Sequence, residues 1–188
     1  VYTKFNNGIG RVSAFAPGTK ENSAVFSHAC AFKIVADCMM KRGNSAYETF
    51  IKVLPTYSLK AKNMSHYKAE PYVFAEYVVG PNHPENFGRG EFTWNTGTTT
   101  WMFIAATAWI LGVRPNFRGL EIDPCLPEQW THCHIKRAFR GAFYEISINK
   151  SDHTQSGGKR IIVDNKEIKT RIIKPHRDGK VHKVEVIM

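Results

Sequence analysis

The chain lacks any apolar run of the ~18 residues that a bilayer-crossing helix needs, so no transmembrane helix and no membrane partner are expected. It has no charged-then-apolar N-terminal segment, and therefore no secretion signal to read. No C-x-x-C pair occurs among its 4 cysteines, Cys30, Cys38, Cys125 and Cys133. Scattered thiols of this kind are expected to be free, in a reducing, cytoplasmic setting. His132-Cys133-His134 lacks a second ligand pair, and on a strand its two histidines face one side with the cysteine on the other. No metal is expected there. Acidic residues are few, with 16 Asp+Glu against 26 Lys+Arg and a net charge of +10. That balance raises nucleic-acid binding as a reading. Glu and Asp interleave with the cations even in the basic C-terminal tail, however, and no nucleic-acid motif is present. A solvated surface accounts for the charge, and its positive field also helps gather a small anion.

What is present is a core. Hydrophobic residues make up 43% and aromatics 12% of the 188 residues, enough for one large domain or two small ones. The chain opens on Val1 rather than Met, which fits a trimmed start or a piece of something longer.

Apolar spacing of three and four predicts a helix over Ala24 to Met40, closed by Lys41-Arg42-Gly43. Ser45-Ala46-Tyr47-Glu48 is a capping-box pattern opening a second helix to about Leu54, stopped by Pro55. Residues 56–70 read as loop. Pro71 then suits the first turn of a short helix over Tyr72 to Val79. Residues 80–93 form a long loop of the kind that often carries function. A last helix is predicted over Thr98 to Leu111. Beyond about residue 120 the period changes to two, with strands over 134–140, 142–148 and 181–188 and a hairpin of 160–163 with 167–173 through 164–166. The expectation is α then β, with a first domain over 1–120 and a second over 121–188.

The stretch Phe92 to Trp101 stands out. Hydroxyl residues and Gly97 precede an apolar helix, which makes a helix start. Such a start is either an ordinary capped terminus or an anion site, because free amides converge there and Gly lets an anion approach the backbone. His28, among apolar residues of the first helix, is ordinarily a satisfied core histidine. It becomes a candidate ligand only beside an anion site.

Several motifs occur in one order: Ala16-Pro17-Gly18-Thr19-Lys20-Glu21-Asn22 running into Phe26-Ser27-His28, Glu70-Pro71-Tyr72-Val73, and Trp94-Asn95-Thr96-Gly97-Thr98 with Trp101. Gly119-Leu120-Glu121-Ile122-Asp123-Pro124-Cys125-Leu126-Pro127 and Phe139-Arg140-Gly141 follow. Together they resemble the C-terminal part of glycoside hydrolase family 94, the inverting disaccharide phosphorylases acting on cellobiose, chitobiose, cellodextrin and cellobionic acid. The resemblance covers most of residues 1–150. It implies the last helices of an (α/α)6 barrel followed by a small β domain, with the rest of the barrel upstream of Val1, and a homodimer.

The chemistry implied is phosphorolysis of a β-linked disaccharide without a cofactor, inorganic phosphate being a co-substrate. A family Asp protonates the glycosidic oxygen while phosphate attacks the anomeric carbon from the opposite face, by the logic of an inverting glycosidase. The resemblance puts phosphate at His28, Thr96 and Gly97. It puts the acceptor sugar near Arg11, Phe15 and Lys20, and the donor sugar at Glu76, where the family often has Gln. Arg11 replaces a Glu associated with cellobiose phosphorylases, and a cation there suits an acidic acceptor. Surface charges are the plain alternative for Arg11, Lys20 and Glu76. None of Asp37, Asp123, Asp152, Asp164 or Asp178 sits in the family's acid motif, so the acid is expected upstream and this chain alone is expected to be inactive. The other readings are the phosphorylase-like region of a cyclic β-1,2-glucan synthase and a non-catalytic carbohydrate-binding module.

Overall fold

The computed structural model describes residues 1–60, 64–150 and 160–188. Part of the expected 56–70 loop and Asp152 lie outside the described residues. The chain divides into two compact units, Val1–Lys33 with Thr49–Phe103, and Ile34–Glu48 with Ile104–Met188.

The first unit is built on a three-stranded antiparallel sheet of short strands, β1 (Val25–Phe26), β2 (Tyr77–Val78) and β3 (Gly90–Glu91), in that order. Helix α1 (Ser27–Met39) starts directly from β1, and α2 spans Gly43–Val53. Then follow α3 (Pro55–Lys60), α4 (Met64–Tyr67) and α5 (Thr98–Ile104). Tyr67 fastens the strand approach: its buried hydroxyl donates to the Val73 carbonyl at 2.6 Å and accepts the Ala75 amide at 3.1 Å. Satisfying a buried phenol and two backbone groups at once avoids the desolvation cost of each.

In the second unit α5 runs on as a π-helical segment, Ala105–Ile110, and then stops at Gly112. Gly112 takes a φ of +68°, a left-handed value that ends helices and that glycine adopts without strain. Strands β4 (Val113–Asn116), β5 (Gly119–Ile122) and β10 (Ile172–Ile173) form an antiparallel sheet ordered β10-β5-β4. A mixed five-stranded sheet is ordered β6-β7-β11-β8-β9, from His132–Phe139, Ala142–Asn149, Val181–Ile187, Arg160–Val163 and Lys166–Ile168. Here β11 runs parallel to β7 and antiparallel to β8. One face of this sheet is core: Tyr144, Ile146, Ile148, Val184 and Val186 are each at most 2% exposed. Their alternation with polar neighbours is the period-two signal of the sequence. Burying each such aliphatic side chain contributes roughly 1.5–3 kcal/mol.

Asp123, after β5, is a buried ionic hub. Lys41 donates to it at 3.0 Å, Arg114 at 3.0 Å and Arg171 at 2.9 Å. Burial pushes its carboxyl up, but the hydrogen bonds from Lys41 and Arg114 outweigh that and hold it below the usual carboxylate range. All four cysteines are free thiols.

The expected barrel helices are not what the described residues form. Five α-helices of 4 to 13 residues interleave with three sheets, which makes a small mixed α/β fold. The helix expected over Tyr72–Val79 is extended and ends in β2. Val73, Ala75, Tyr77 and Val79 are buried, and the residues between them are less so. That period of two, in a run of aromatic and β-branched residues, suits a strand and overrides the helix-start signal of Pro71. Pro55 does end α2, yet it also opens α3 from its first position, where a missing amide costs nothing.

Candidate functional site

The residues expected to hold phosphate and sugar all lie in the first unit, on three converging segments. The register Val25↔Val78 and Phe26↔Tyr77 continues past the strand ends, where the Ser27 amide donates to the Glu76 carbonyl at 2.8 Å. His28 and Glu76 therefore sit on neighbouring backbones. On the other side of Glu76, its own amide donates to the Glu91 carbonyl at 3.0 Å. The third segment joins through Thr98, whose hydroxyl lies 3.5 Å from the Ala75 carbonyl.

At the start of α5 the Gly97 carbonyl accepts the Trp101 amide at 3.1 Å, so Gly97 is the N-cap residue. Thr96 Oγ1 accepts the Thr98 amide at 3.2 Å and lies 2.7 Å from Thr98 Oγ1. Thr98 is fully buried. Its hydroxyl has one proton and two neighbours, Thr96 at 2.7 Å and Ala75 at the outer limit of a hydrogen bond. The Ala75 carbonyl can only accept, so the Thr98 proton goes to it and the Thr96 hydroxyl donates to Thr98 Oγ1. Thr96 is thereby held against the turn, and the donors left for an anion are the first-turn amides of α5. The same turn leaves Gly97, Thr99 and Thr100 exposed.

Packing does not require glycine at 97. Its φ is not in the left-handed region. A Cβ built there would stand 3.4 Å from Trp101 Cδ1, an ordinary contact. At Gly18, by contrast, φ is +80° and a Cβ would meet the Gly80 carbonyl at 2.9 Å. That position is fixed by the fold.

A row of rings connects the candidates. His28, half-buried, has Phe26 edge-on at 5.6 Å and Phe32 edge-on at 6.2 Å. Phe32 meets Trp101 at 4.9 Å. In the other direction Phe26 meets Tyr77 at 5.6 Å, and Tyr77 meets Phe92 at 6.0 Å. Lys20 Nζ lies 4.3 Å from the Phe92 ring centre and 5.6 Å from that of Phe15, whose ring also has the Arg11 guanidinium at 5.5 Å. Two cations over aromatic faces form one end of the row, and an imidazole with a helix start forms the other.

Asn22, inside the Ala16–Asn22 motif, builds the cationic end. Almost fully buried, it accepts the Tyr2 amide at 2.8 Å and donates to the carbonyls of Tyr2 at 2.8 Å and Phe15 at 2.7 Å. It thereby fixes the backbone that carries Phe15.

Sequence reasoning did not assign Phe92 or Trp94. Both take left-handed φ values, +55° and +65°, which are costly for bulky side chains and concentrate at functional sites. Trp94 Nε1 donates to Glu70 at 3.0 Å, and that hydrogen bond holds the Glu70 carboxyl below its usual range. The signal available was their place in the opening stretch of the helix start.

None of these residues forms a metal-ligand group. Among the described residues one such grouping occurs, Asp164, His176 and His182, in the second unit. His132 and His134 do share a face of β6, paired with Asn149 and Ser147 of β7.

Residues 1–112 match the family model described as glycosyl hydrolase 94 superfamily, catalytic domain. The chain belongs to this family. Glycosyl hydrolase 94 character extends past the matched segment. Solabiose phosphorylase of Paenibacillus borealis is 42% identical over 187 residues, covering 100% of this chain and 24% of its own length. N,N'-diacetylchitobiose phosphorylase of Vibrio proteolyticus is 36% identical over 97% of this chain and 22% of its own length. The 3-O-beta-D-glucopyranosyl-beta-D-glucuronide phosphorylase of Paenibacillus borealis is 31% identical over 98% of this chain and 24% of its own. The chain thus spans about a quarter of the length of the relatives it matches. The family resemblance seen in the motifs is borne out.

Proposed function

We propose that this chain supplies the phosphate-holding part of an inverting glycoside phosphorylase. The whole protein would cleave a β-linked glucosyl disaccharide with inorganic phosphate to give α-glucose 1-phosphate. The observation that carries the proposal is the convergence of the segments bearing His28, Glu76 and Thr96-Gly97, stitched together through Ser27, Ala75 and Thr98. Relatives named as disaccharide phosphorylases support it.

In this reading the phosphate oxygens accept from the exposed amides of the α5 first turn, with Thr96 beside them. His28 donates from an imidazole N–H. These groups hold the nucleophile's charge and aim an oxygen at the anomeric carbon. As the new C–O bond forms on one face, the glycosidic C–O bond breaks on the other. The departing oxygen takes a proton from a carboxylic acid that belongs to the protein outside this chain. Phosphate is already an anionic nucleophile, so no second carboxylate is required. Arg11, Phe15 and Lys20 would cradle the acceptor sugar by aromatic contact and by hydrogen bonds, and Glu76 would accept from hydroxyls of the donor sugar. The cationic pair favours an acceptor with a carboxylate, as in a glucuronide or cellobionic acid.

The proposed setting is a cytoplasmic homodimer without cofactor. Free thiols and the need for inorganic phosphate support the compartment, and the family resemblance supports the dimer.

The test uses the full-length protein. It is incubated with phosphate and, in turn, solabiose, N,N'-diacetylchitobiose, a glucosyl-glucuronide and cellobionic acid, and sugar phosphate is measured. Phosphorolysis of at least one, abolished by Thr96→Ala with His28→Ala, is expected, whereas residues 1–188 alone should release none. Hydrolysis without phosphate dependence would overturn the reading.

A further inference from the structure

Asp164, His176 and His182 come from three places in the second unit: the β8–β9 turn, the segment between β10 and β11, and β11 itself. One donor atom of each lies within 4.8 Å of the others. Each also has a further donor or acceptor tied to a supporting group. His182 is buried, with Nδ1 at 2.6 Å from Asp164 Oδ2 and Nε2 at 3.1 Å from Asp178 Oδ1. Asp164 Oδ1 accepts the Lys183 amide at 2.9 Å. His176 Nδ1 lies 3.1 Å from the Tyr144 hydroxyl. The carboxylate and amide support of His182 and Asp164 is what metal-ligating side chains have around them, because it fixes orientation and tautomer, whereas His176 is held only by the Tyr144 hydroxyl.

We propose that Asp164 Oδ2, His182 Nδ1 and a ring nitrogen of His176 bind a divalent cation, with Zn(II) the best match. Two imidazoles and one carboxylate suit zinc, whereas magnesium and calcium take oxygen ligands. Asp178 is a positioning residue. By accepting from His182 Nε2–H it keeps Nδ1 as the ligand atom. Where no cation is bound, a proton bridges Asp164 and His182. On binding, that proton leaves to solvent and the nitrogen lone pair goes to the metal. The His176 and His182 rings are stacked, 3.6 Å apart and 16° from parallel. The His176 lone pair therefore meets the cation only after the ring tilts, and its exposed position allows that. A water completes four-coordination. The cation staples the β8–β9 turn to the segment entering β11, and no residue proposed for phosphate or sugar takes part in it.

The full chain is stripped with chelator, titrated with zinc chloride, desalted and assayed for bound metal, and X-ray absorption reads the ligand shell. One zinc per chain in an oxygen–nitrogen shell is expected. His176→Ala alters an exposed side chain, and circular dichroism confirms that it folds. It should bind at least about tenfold more weakly, as should Asp178→Asn. The double variant His132→Ala/His134→Ala should bind as the parent does. The proposal is overturned if the parent retains no zinc, if the shell contains sulfur, if His176→Ala and Asp164→Asn both bind like the parent, or if the His132/His134 variant abolishes uptake.

Discussion

The hydroxyl oxygens of Thr96 and Thr98 lie 2.7 Å apart, one half-buried and the other fully buried. The buried hydroxyl orients the outer one and need not itself touch a ligand. Thr98→Val keeps the shape and removes the hydroxyl that holds Thr96. A lost hydrogen bond costs about 1 kcal/mol, so KM for phosphate in the full-length enzyme should rise roughly fivefold with KM for the disaccharide unchanged. Phosphate-dependent initial rates decide, and an unchanged phosphate KM would contradict the role given to Thr98.

Gly97 is free of steric demand from the fold, yet its open face lies at the helix start. Gly97→Ala should fold with a stability loss within about 1 kcal/mol, the penalty of alanine at an N-cap. Its phosphate KM should still rise at least tenfold, or ~1.4 kcal/mol. Thermal melting and phosphate titration together separate the two effects.

Glu76 is the residue proposed for the donor sugar. A contact that only accepts from sugar hydroxyls survives Glu76→Gln and is lost in Glu76→Ala. The expected order of kcat/KM for phosphorolysis is parent, close to Gln, and well above Ala by at least about tenfold. Equal rates for all three would remove Glu76 from the donor site.

Asp123 gathers three cations at a position where its side chain is 9% exposed. Asp123→Asn leaves those cations facing one another and should cost about 3 kcal/mol, the low end for breaking a buried pair, because Lys41 and Arg171 reach solvent. The carboxyl is held below its unfolded value near 3.9. Its contribution is therefore complete above about pH 4 and is lost as pH falls through the lower, folded value. Urea unfolding between neutral and acid pH should show this decline in the parent and a flatter one in the variant.

Much of the β half was legible because strands announce themselves locally. Ala142 to Asn149 alternates, and its burial alternates with it. The helix after Gly97 was legible for the same reason, through its polar start and apolar run. Tyr72 to Val79 was not, because a proline-led apolar segment fits a helix turn and a strand equally until its neighbours are known. Pairing with β1 and β3 decides it. The motif residues His28 and Thr96 stood out in sequence, but the link between them did not. It runs through Glu76 and Ala75, whose backbone atoms make the contacts, and backbone atoms leave no mark on residue identity. Asp164, His176 and His182 were hidden in the same way. Their spacing matches no ligand motif, and the β8–β9 turn and the β11 register bring them together.

The division into two units falls between Lys33 and Ile34, Glu48 and Thr49, and Phe103 and Ile104. Each of these junctions lies inside a helix or the continuous helical run from Thr98 to Ile110. Neither unit is therefore an uninterrupted stretch of the gene. No single truncation isolates one of them, and each junction cuts a helix and the i→i−4 backbone bonds that cross it. For anyone dividing this protein into expressible pieces, the compact units and the cloneable segments are different objects.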